Sequence, residues 1–449
     1  MKSLHVPFVF YPDVVGGTEV YVAGLAESLA RQHHPVVIAA PAGAASHYTH
    51  AGTPVYRFPV AERVADVAEL YGEGDAAAAA AFGQILDRER PDVVHLHAFT
   101  RACSVLLVRQ ARSRAIPVVF TYHTPTVSCA RGTMMLWGST PCDGTLRVAR
   151  CAACALEGRG VSKPVAQLLG HLPPSGTLAA ANWHGRAWTA VRFSSLIERS
   201  QRATRALFAE VDRIVAFREW VRALLIANGV APGKIVSSSH ALCHPATERR
   251  RTAKQTATLR IVFMGRLDPT KGVDLLIRAL RAIPDADLVL DVYGTVQGVG
   301  GRLELERLRQ MANGDGRVVF RSPIDSQAVV DTIAAYDVLA VPSQWMETGP
   351  LVVLEAFAAG VPVVGSALGG IAEMVTDGIN GLLVHDHRSS DAWAHAFSRL
   401  AGERGLLERL ARHVEAPKSM DDVATDMAAL YESLMDSRSS STSIIPSVA

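Results

Sequence analysis

Residues Trp345–Val375 read WMETGPLVVLEAFAAGVPVVGSALGGIAEMV and hold two glutamates, Glu347 and Glu355, with seven residues between them. The run just upstream, YDVLAVPS, reads as a buried strand ending at Ser343. Glu347 then falls in a strand-to-helix loop. Pro350 suits a first helical position, where its missing N–H costs nothing, and LVVLEAFAA continues as a helix stopping at Gly360. Glu355 sits about one and a half turns into that helix. A helix start at the carboxyl end of a strand presents free N–H groups and the positive end of a dipole. Thr348, Gly349 and Leu351 could offer such donors to a phosphate, with Pro350 opening the helix. Glu355 could accept from two adjacent hydroxyls, as an acid does on a ribose, and Glu347 would face the ligand beyond its phosphates. The plain alternative makes Glu347 a solvated loop charge and pairs Glu355 with a cation. Each glutamate alone favours that alternative; the whole constellation favours a ligand.

Outward from this stretch, short apolar runs alternate with amphipathic segments in two blocks, the pattern of parallel sheets covered by helices. The first block offers HVPFVFYP, HPVVIAAP, PDVVHLH, IPVVFTYH and DRIVAF. The second offers LRIVFMGR, ADLVLDVYG, GRVVFRS, YDVLAVPS, VPVVGS and GLLVH. The polar, basic run CHPATERRRTAKQTAT, Cys243–Thr258, reads as a linker. The expected layout is an N-terminal domain over 1–245 and a C-terminal domain over 259–425. A last helix follows over 426–436, then a disordered tail over 437–449, rich in serine. Two doubly wound domains facing each other form a cleft, and ligands bind outside the carboxyl ends of their strands.

Other loops at strand ends add candidates. GRLDPTKGVDLL places Arg266 and Lys271 where a fork and a point charge could balance a diphosphate, though either alone could be a solvated cation. YPDVVGGTEV turns through Gly16 and Gly17 into a helix, which would let backbone approach a ligand or simply serve packing. His123 ends VVFTYH and could contact a reacting group; His95 and His97 occupy a comparable strand end, so His123 is not locally unique. The lone D-x-D, Asp285–Asp287, precedes a strand and reads as a turn rather than a metal site.

The totals bound the function. The chain has 449 residues, 49% hydrophobic and 20% charged, with a net charge of +2, too small to argue for nucleic acid. No apolar run approaches the roughly 18 residues of a membrane span, and the N-terminus lacks the features of a signal peptide. A cytoplasmic protein is expected. Of six cysteines, Cys129, Cys142, Cys151 and Cys154 cluster, the last two as C-x-x-C. Four thiolates suit a structural tetrahedral zinc, an iron–sulfur cluster could use the same ligands, and free buried thiols are the remaining reading. From about Thr145 to Arg222 the chain is rich in arginine, with Trp183, Trp188 and Trp220 interleaved. That segment suits anionic lipid headgroups or a solvated helix packed across its domain.

The pattern E-x(7)-E in ETGPLVVLEAFAAGVPVV, with GGIAEMVTDGINGLLV, GRLDPTKGVDLLIRAL and GGTEVYVAGLAESLARQHHPVVIAA, resembles glycosyltransferase family 4 over nearly all of residues 4–435. The resemblance implies an α/β GT-B fold, two facing Rossmann-like domains, and transfer of a hexose-type sugar from a nucleotide donor with retention. It implies that Arg266 and Lys271 hold the diphosphate, Glu355 the ribose, and Glu347 the donor sugar or its phosphate. Gly17 would approach the diphosphate from the opposite domain, and His123 would stand near the anomeric centre. Glu373 matches a frequent family glutamate, and the last helix would cross back to the N-terminal domain. TGPL replaces the phenylalanine-glycine pair of many relatives, and VSSSHALCHP replaces a PNG turn. The implied chemistry is front-face displacement without a catalytic metal, the leaving phosphate oxygen taking the acceptor proton. A glycan, lipid-linked or small-molecule acceptor fits. The competing readings are an epimerase or phosphorylase of the same fold, or a non-catalytic nucleotide-sugar binder. Oligomeric state is not encoded in any motif.

Overall fold

The computed structural model describes all residues except 14–15, 62, 65, 181–184, 243–257, 404 and 443–449. Two compact units divide the chain: Met1–Ser239 with Met420–Ala449, and His240–Ser419.

Among the described residues the first unit carries ten strands: β1 (Ser3–Val6), β2 (Val36–Ala42), β3 (Ser46–His50), β4 (Thr53–Pro59), β5 (Val93–Leu96), β6 (Val118–Thr121), β7 (Met135–Leu136), β8 (Thr140–Pro141), β9 (Arg213–Ala216) and β10 (Ile235–Ser237). Eight of them form one sheet in the order β10-β9-β6-β5-β1-β2-β4-β3. All pairings in it are parallel except β3 with β4. Its central strands are buried at every residue; β6 reads as the mainly apolar VVFT, while β1 (SLHV) and β5 (VVHL) each carry a buried histidine among apolar residues. β1 ends at Val6 because Pro7 has no N–H to continue the ladder, so the expected strand HVPFVFYP is cut short. Strand order reverses between β1 and β5, whose following loops therefore part company and leave room at the sheet edge.

The last helix, Met420–Thr442, starts earlier and ends later than expected. It continues through 437–442, part of the segment read as a disordered tail. Once nucleated, a helix gains one bond per residue fixed, and no glycine or proline interrupts this run before Pro446. It packs against helix Gly17–Arg31 in the same unit, where Asp421 pairs with Arg31 at 2.6 Å. The linker, with Cys243, and Trp183 lie outside the described residues, as does the end of the tail.

Among the described residues the second unit has six parallel strands: β11 (Leu259–Arg266), β12 (Leu288–Thr295), β13 (Val318–Arg321), β14 (Val338–Val341), β15 (Val363–Ser366) and β16 (Gly381–Val384). Their order is β13-β12-β11-β14-β15-β16, the doubly wound arrangement with its reversal between β11 and β14. Alternate residues feed two cores. Ile261, Phe263, Val338, Ala340 and Val364 enter one, while Val262, Leu339, Val341 and Val363 enter the other. The turn carrying Asp285 and Asp287 precedes β12, as expected. Among the described residues no helix is long and apolar enough to cross a membrane.

Candidate functional site

At the reversal point of the second sheet the loops after β11, β14 and β15 meet. The β14 loop carries Ser343, Glu347 and Thr348, all buried. Glu347 is 6% exposed, so it is not a solvated loop charge. Its Oε1 accepts from Lys271 Nζ at 2.8 Å and from the Ser343 hydroxyl. Lys271, 76 residues earlier, also lies 5.5 Å from the Trp345 ring centroid. Burying a carboxylate in this way requires a cation and a hydroxyl to answer it.

Glycines lock these loops together. Gly272, at φ +71°, turns the β11 loop into its helix, and a Cβ there would meet the Pro342 carbonyl oxygen at 2.2 Å. Gln344 N–H donates to Thr270 O at 2.7 Å, tying the β14 loop to the β11 loop. Gly370 N–H donates to Glu347 O at 2.6 Å, and a Cβ on Gly370 would lie 2.7 Å from that same oxygen. Gly369 and Gly370 thus grip the backbone that presents Glu347, a role that sequence reasoning did not give them; the GG pair opening a helix was the available signal.

The helix expected after Glu347 runs Leu351–Ala358, with Pro350 as its N-cap at φ −67° rather than its first turn. Gly349 takes φ +154°, a value L side chains avoid. Glu355 lies in the second turn, half-buried, and burial raises its carboxyl to about 7. Among the described residues its carboxylate has neither a hydrogen bond nor an ion-pair partner. Arg266, at the end of β11, is exposed and lines a cavity of about 430 Å³ with Asp268, Gln297, Gly300 and Arg307, at the ends of β11 and β12. Lys271 and Glu347 do not line that cavity. Glu373 is exposed on helix Gly369–Met374.

In the first unit Gly16 caps helix Gly17–Arg31 and both glycines are exposed. Glu19, buried in the first turn of this helix, accepts the Gly16 N–H; burial raises its carboxyl, and backbone bonds from its own N–H and that of Gly16 partly offset this. His123 is 6% exposed and follows β6. Its Nε2 is 3.0 Å from His97 Nδ1, and His97 Nε2 is 3.0 Å from His5 Nδ1. Burial lowers His123 and His5 to about 3 and holds His95 and His97 well below the usual histidine range, so all four rings are neutral near pH 7. His95 reaches Tyr431 Oη on the last helix at 2.6 Å and Thr121 Oγ1 at 2.6 Å.

Cys129, Cys142, Cys151 and Cys154 line one cavity of about 30 Å³, together with Arg131 and Arg150. Cys151 and Cys154 share one face of helix Val148–Glu157, and Cys154 Sγ accepts the Trp137 N–H at 3.3 Å. Among the described residues the close trio of ligand atoms, all within 4.8 Å, is instead His5, His95 and His97. The arginine-rich helix Phe193–Glu210 buries one face, with Phe193, Leu196, Ile197, Leu207 and Phe208, and exposes Arg199, Arg202 and Arg205 on the other. Arg192, 1% exposed, pairs with Asp66; Arg202 pairs with Glu198, and Arg205 donates to Leu146 O. Trp188 is exposed, and Trp220 stacks edge-on with Tyr122.

Residues 16–237 match the model of the glycosyl transferase 4-like domain, and residues 246–416 match that of glycosyl transferases group 1. The chain belongs to the glycosyltransferases of the GT-B fold. D-inositol 3-phosphate glycosyltransferase of Actinosynnema mirum is 37% identical to this GT-B chain over 224 residues, 45% of the chain and 52% of the relative. The protein of the same name from Xylanimonas cellulosilytica is 36% identical over 178 residues, 38% of the chain and 41% of the relative. The chain thus spans about half the length, or less, of these two relatives. Among solved structures, sucrose-phosphate synthase from Thermosynechococcus elongatus has a TM-score of 0.65 at 20% identity, covering 97% of this chain and 99% of its own. Anabaena HepE in complex with UDP and glucose has a TM-score of 0.62 at 15% identity, covering 96% and 100%. These two likenesses establish the GT-B fold.

Proposed function

We propose that this GT-B protein moves a hexose-type sugar from a nucleoside-diphosphate donor to a hydroxyl acceptor with retention of anomeric configuration. One observation carries this reading: Glu355, a carboxylate without a partner among the described residues, lies on the helix that follows a buried Lys271–Glu347–Ser343 cluster where a doubly wound sheet reverses. In this reading Glu355 accepts two ribose hydroxyls. Arg266, Lys271 and the N–H groups of Thr348, Gly349 and Leu351 answer the diphosphate charge that grows as the sugar leaves. Glu347, fixed by Lys271 and Ser343, contacts the donor sugar or its phosphate. Gly16 and Gly17 admit backbone close to the diphosphate. His123 contacts the transferred sugar as a neutral ring. The C–O bond to the leaving phosphate breaks as the acceptor oxygen attacks the same face. The acceptor proton passes to the departing phosphate oxygen.

The names of the inositol-phosphate relatives make a phosphorylated polyol the first acceptor to test, and the UDP complex of HepE makes UDP-sugars the first donors. Incubation with UDP-, GDP- and ADP-hexoses and D-inositol 3-phosphate, read by NMR, should give one glycoside whose anomeric configuration equals that of the donor. An inverted product overturns the retaining reading, and no turnover or binding with any donor overturns the transferase reading.

A structural zinc held by Cys129, Cys142, Cys151 and Cys154 belongs to the same proposal. The donor set is of the tetrathiolate kind, and an N–H already points at one sulfur. The ion would pin segment 129–154. Zinc analysis of the purified chain should give one equivalent, and its removal by a chelator should lower the melting temperature. A metal-free protein of unchanged stability overturns it.

A further inference from the structure

β3 and β4 are joined by Ala51 and Gly52, both at positive φ (46° and 80°), the two-residue turn whose twist suits an antiparallel pair. The register it sets puts Tyr48 opposite Val55 and Ser46 opposite Arg57. The hairpin lies at the edge of the first sheet, yet Arg57 is 6% exposed. An arginine stays charged throughout the pH range of a folded protein, and burying that charge is costly unless something answers it. Here the answer is main chain of the loop that leaves β1. Arg57 Nη2 donates to Phe10 O at 2.6 Å and to Tyr11 O at 3.3 Å. Its Nη1 donates to Pro41 O at 3.4 Å on β2. Its Nε donates to the Tyr48 hydroxyl at 3.2 Å, and that hydroxyl in turn donates to Tyr11 O. The ion pair with Asp13, at 3.0 Å, is to a carboxylate 69% exposed, a kind of pair that contributes little. The Tyr11 ring stacks on His50 of β3, with centroids 4.3 Å apart and planes within 12°. At the start of the same loop Cys103 Sγ donates to Pro7 O at 3.4 Å. A loop that only had to be covered would be served by apolar side chains. Guanidinium N–H groups aimed at its carbonyls fix its position as well.

We propose that Arg57, assisted by Tyr48, is a positioning residue for sugar transfer: it fixes the loop over residues 7–13 and, through it, the point at which Gly16 and Gly17 open the following helix. This rests on the reading in which those glycines bring backbone to the diphosphate. Gly16 is three residues beyond Asp13, a reach of at most about 11 Å, so a loop released from the hairpin takes the glycines with it. In the same reading the donor is held chiefly by Arg266, Lys271 and Glu355, none of which belongs to this loop. Releasing the loop therefore spares donor binding and slows transfer, because the backbone that meets the growing diphosphate charge is no longer set in place.

The test compares Arg57→Met, Arg57→Lys and Tyr48→Phe with Val55→Ala, all in the full chain. Val55 is fully buried in the same strand and its side chain makes no hydrogen bond, so its loss weakens packing alone. Arg57→Met should lower kcat about ten- to a hundredfold, with the Kd for the nucleotide donor unchanged by calorimetry. Arg57→Lys, which keeps the charge and some of the donors, should recover part of that loss. Tyr48→Phe should lose less than Arg57→Met, in the same direction, and with Arg57→Lys it carries the comparison if Arg57→Met does not fold. Val55→Ala should lower the melting temperature and leave kcat as it is. Amide exchange over residues 7–17, followed by mass spectrometry well below the melting temperature, should be faster in Arg57→Met and not in Val55→Ala. Unchanged exchange over that loop overturns the proposal. So does a wild-type kcat in Arg57→Met alongside a lowered melting temperature, which would make Arg57 structural only. Equal losses in donor Kd and in kcat overturn it too, since the loop would then hold the donor rather than serve the transfer step. If the wild type transfers no sugar from any donor, the transferase reading fails and the positioning role with it, while the exchange difference still decides whether Arg57 holds the loop.

Discussion

The reversal points of the two sheets are topological equals furnished in opposite ways. In the second unit the loops at that point carry charge: Lys271 and Glu347 are paired at 2.8 Å, and Glu355, on the helix that follows, has no partner among the described residues. In the first unit the same position is filled by neutral imidazoles linked in line. A doubly wound sheet leaves a gap wherever its strand order turns, whatever the side chains. What the gap can bind is decided by what enters it. Fixed charges and helix N-termini suit a diphosphate. Neutral rings, each with one donor and one acceptor nitrogen, suit sugar hydroxyls, which need direction rather than charge.

The strongest way to break this contrast is to remove a charge on one side. Lys271→Met leaves Glu347 buried without its cation, a change that costs about 3–5 kcal/mol in comparable pairs. Donor affinity should fall at least a hundredfold by calorimetry and the melting temperature should drop. The double variant Lys271→Met/Glu347→Gln should recover stability but not donor affinity. Full donor affinity in the single variant would show that the pair is structural only.

A smaller effect is expected at the clamp. Gly370→Ala forces a Cβ to 2.7 Å from Glu347 O and disturbs the bond Gly370 N–H makes to that oxygen. Loss of about 2–3 kcal/mol of stability is expected from denaturant unfolding, since neither backbone can move aside cheaply. Gly402→Ala, where a Cβ would meet nothing within 4 Å, serves as the control.

The smallest effect is a pH slope. Glu355 titrates near 7 in the fold and near 4.5 in the unfolded chain. The folded state therefore holds the proton more tightly, and the unliganded protein should lose stability as pH rises from about 4.5 to about 7, by of order 2 kcal/mol. Glu355→Gln should flatten that slope. Donor binding should run the other way, weakening below about pH 7 as the carboxylate that accepts the ribose hydroxyls is protonated. A slope unchanged in the variant would assign the titration to another group.

Much of the second unit was legible in the sequence because its strands are buried on both faces and read as plain apolar runs. LRIVFMGR matches β11 residue for residue. The β3–β4 pair was not legible: SHYTH is largely exposed at a sheet edge and has no apolar run, and TPVYRFP is bracketed by prolines. The two glutamates could be singled out from spacing alone. That Lys271 would pair with Glu347 could not, because 76 residues separate them and only the adjacency of β11 and β14 brings their loops together. The histidines were visible one at a time. Their order in a hydrogen-bonded line depends on β1 lying beside β5 and β5 beside β6, a matter of sheet order rather than of local pattern.

The most direct measurement is a calorimetric titration of UDP, GDP and ADP into the wild-type chain and into Glu355→Ala at pH 8, where the carboxylate is ionised. At least one nucleotide should bind the wild type, and the variant should bind it at least tenfold more weakly with an unchanged melting profile. Equal affinity in both proteins would contradict a nucleoside diphosphate held at the reversal point of the second sheet.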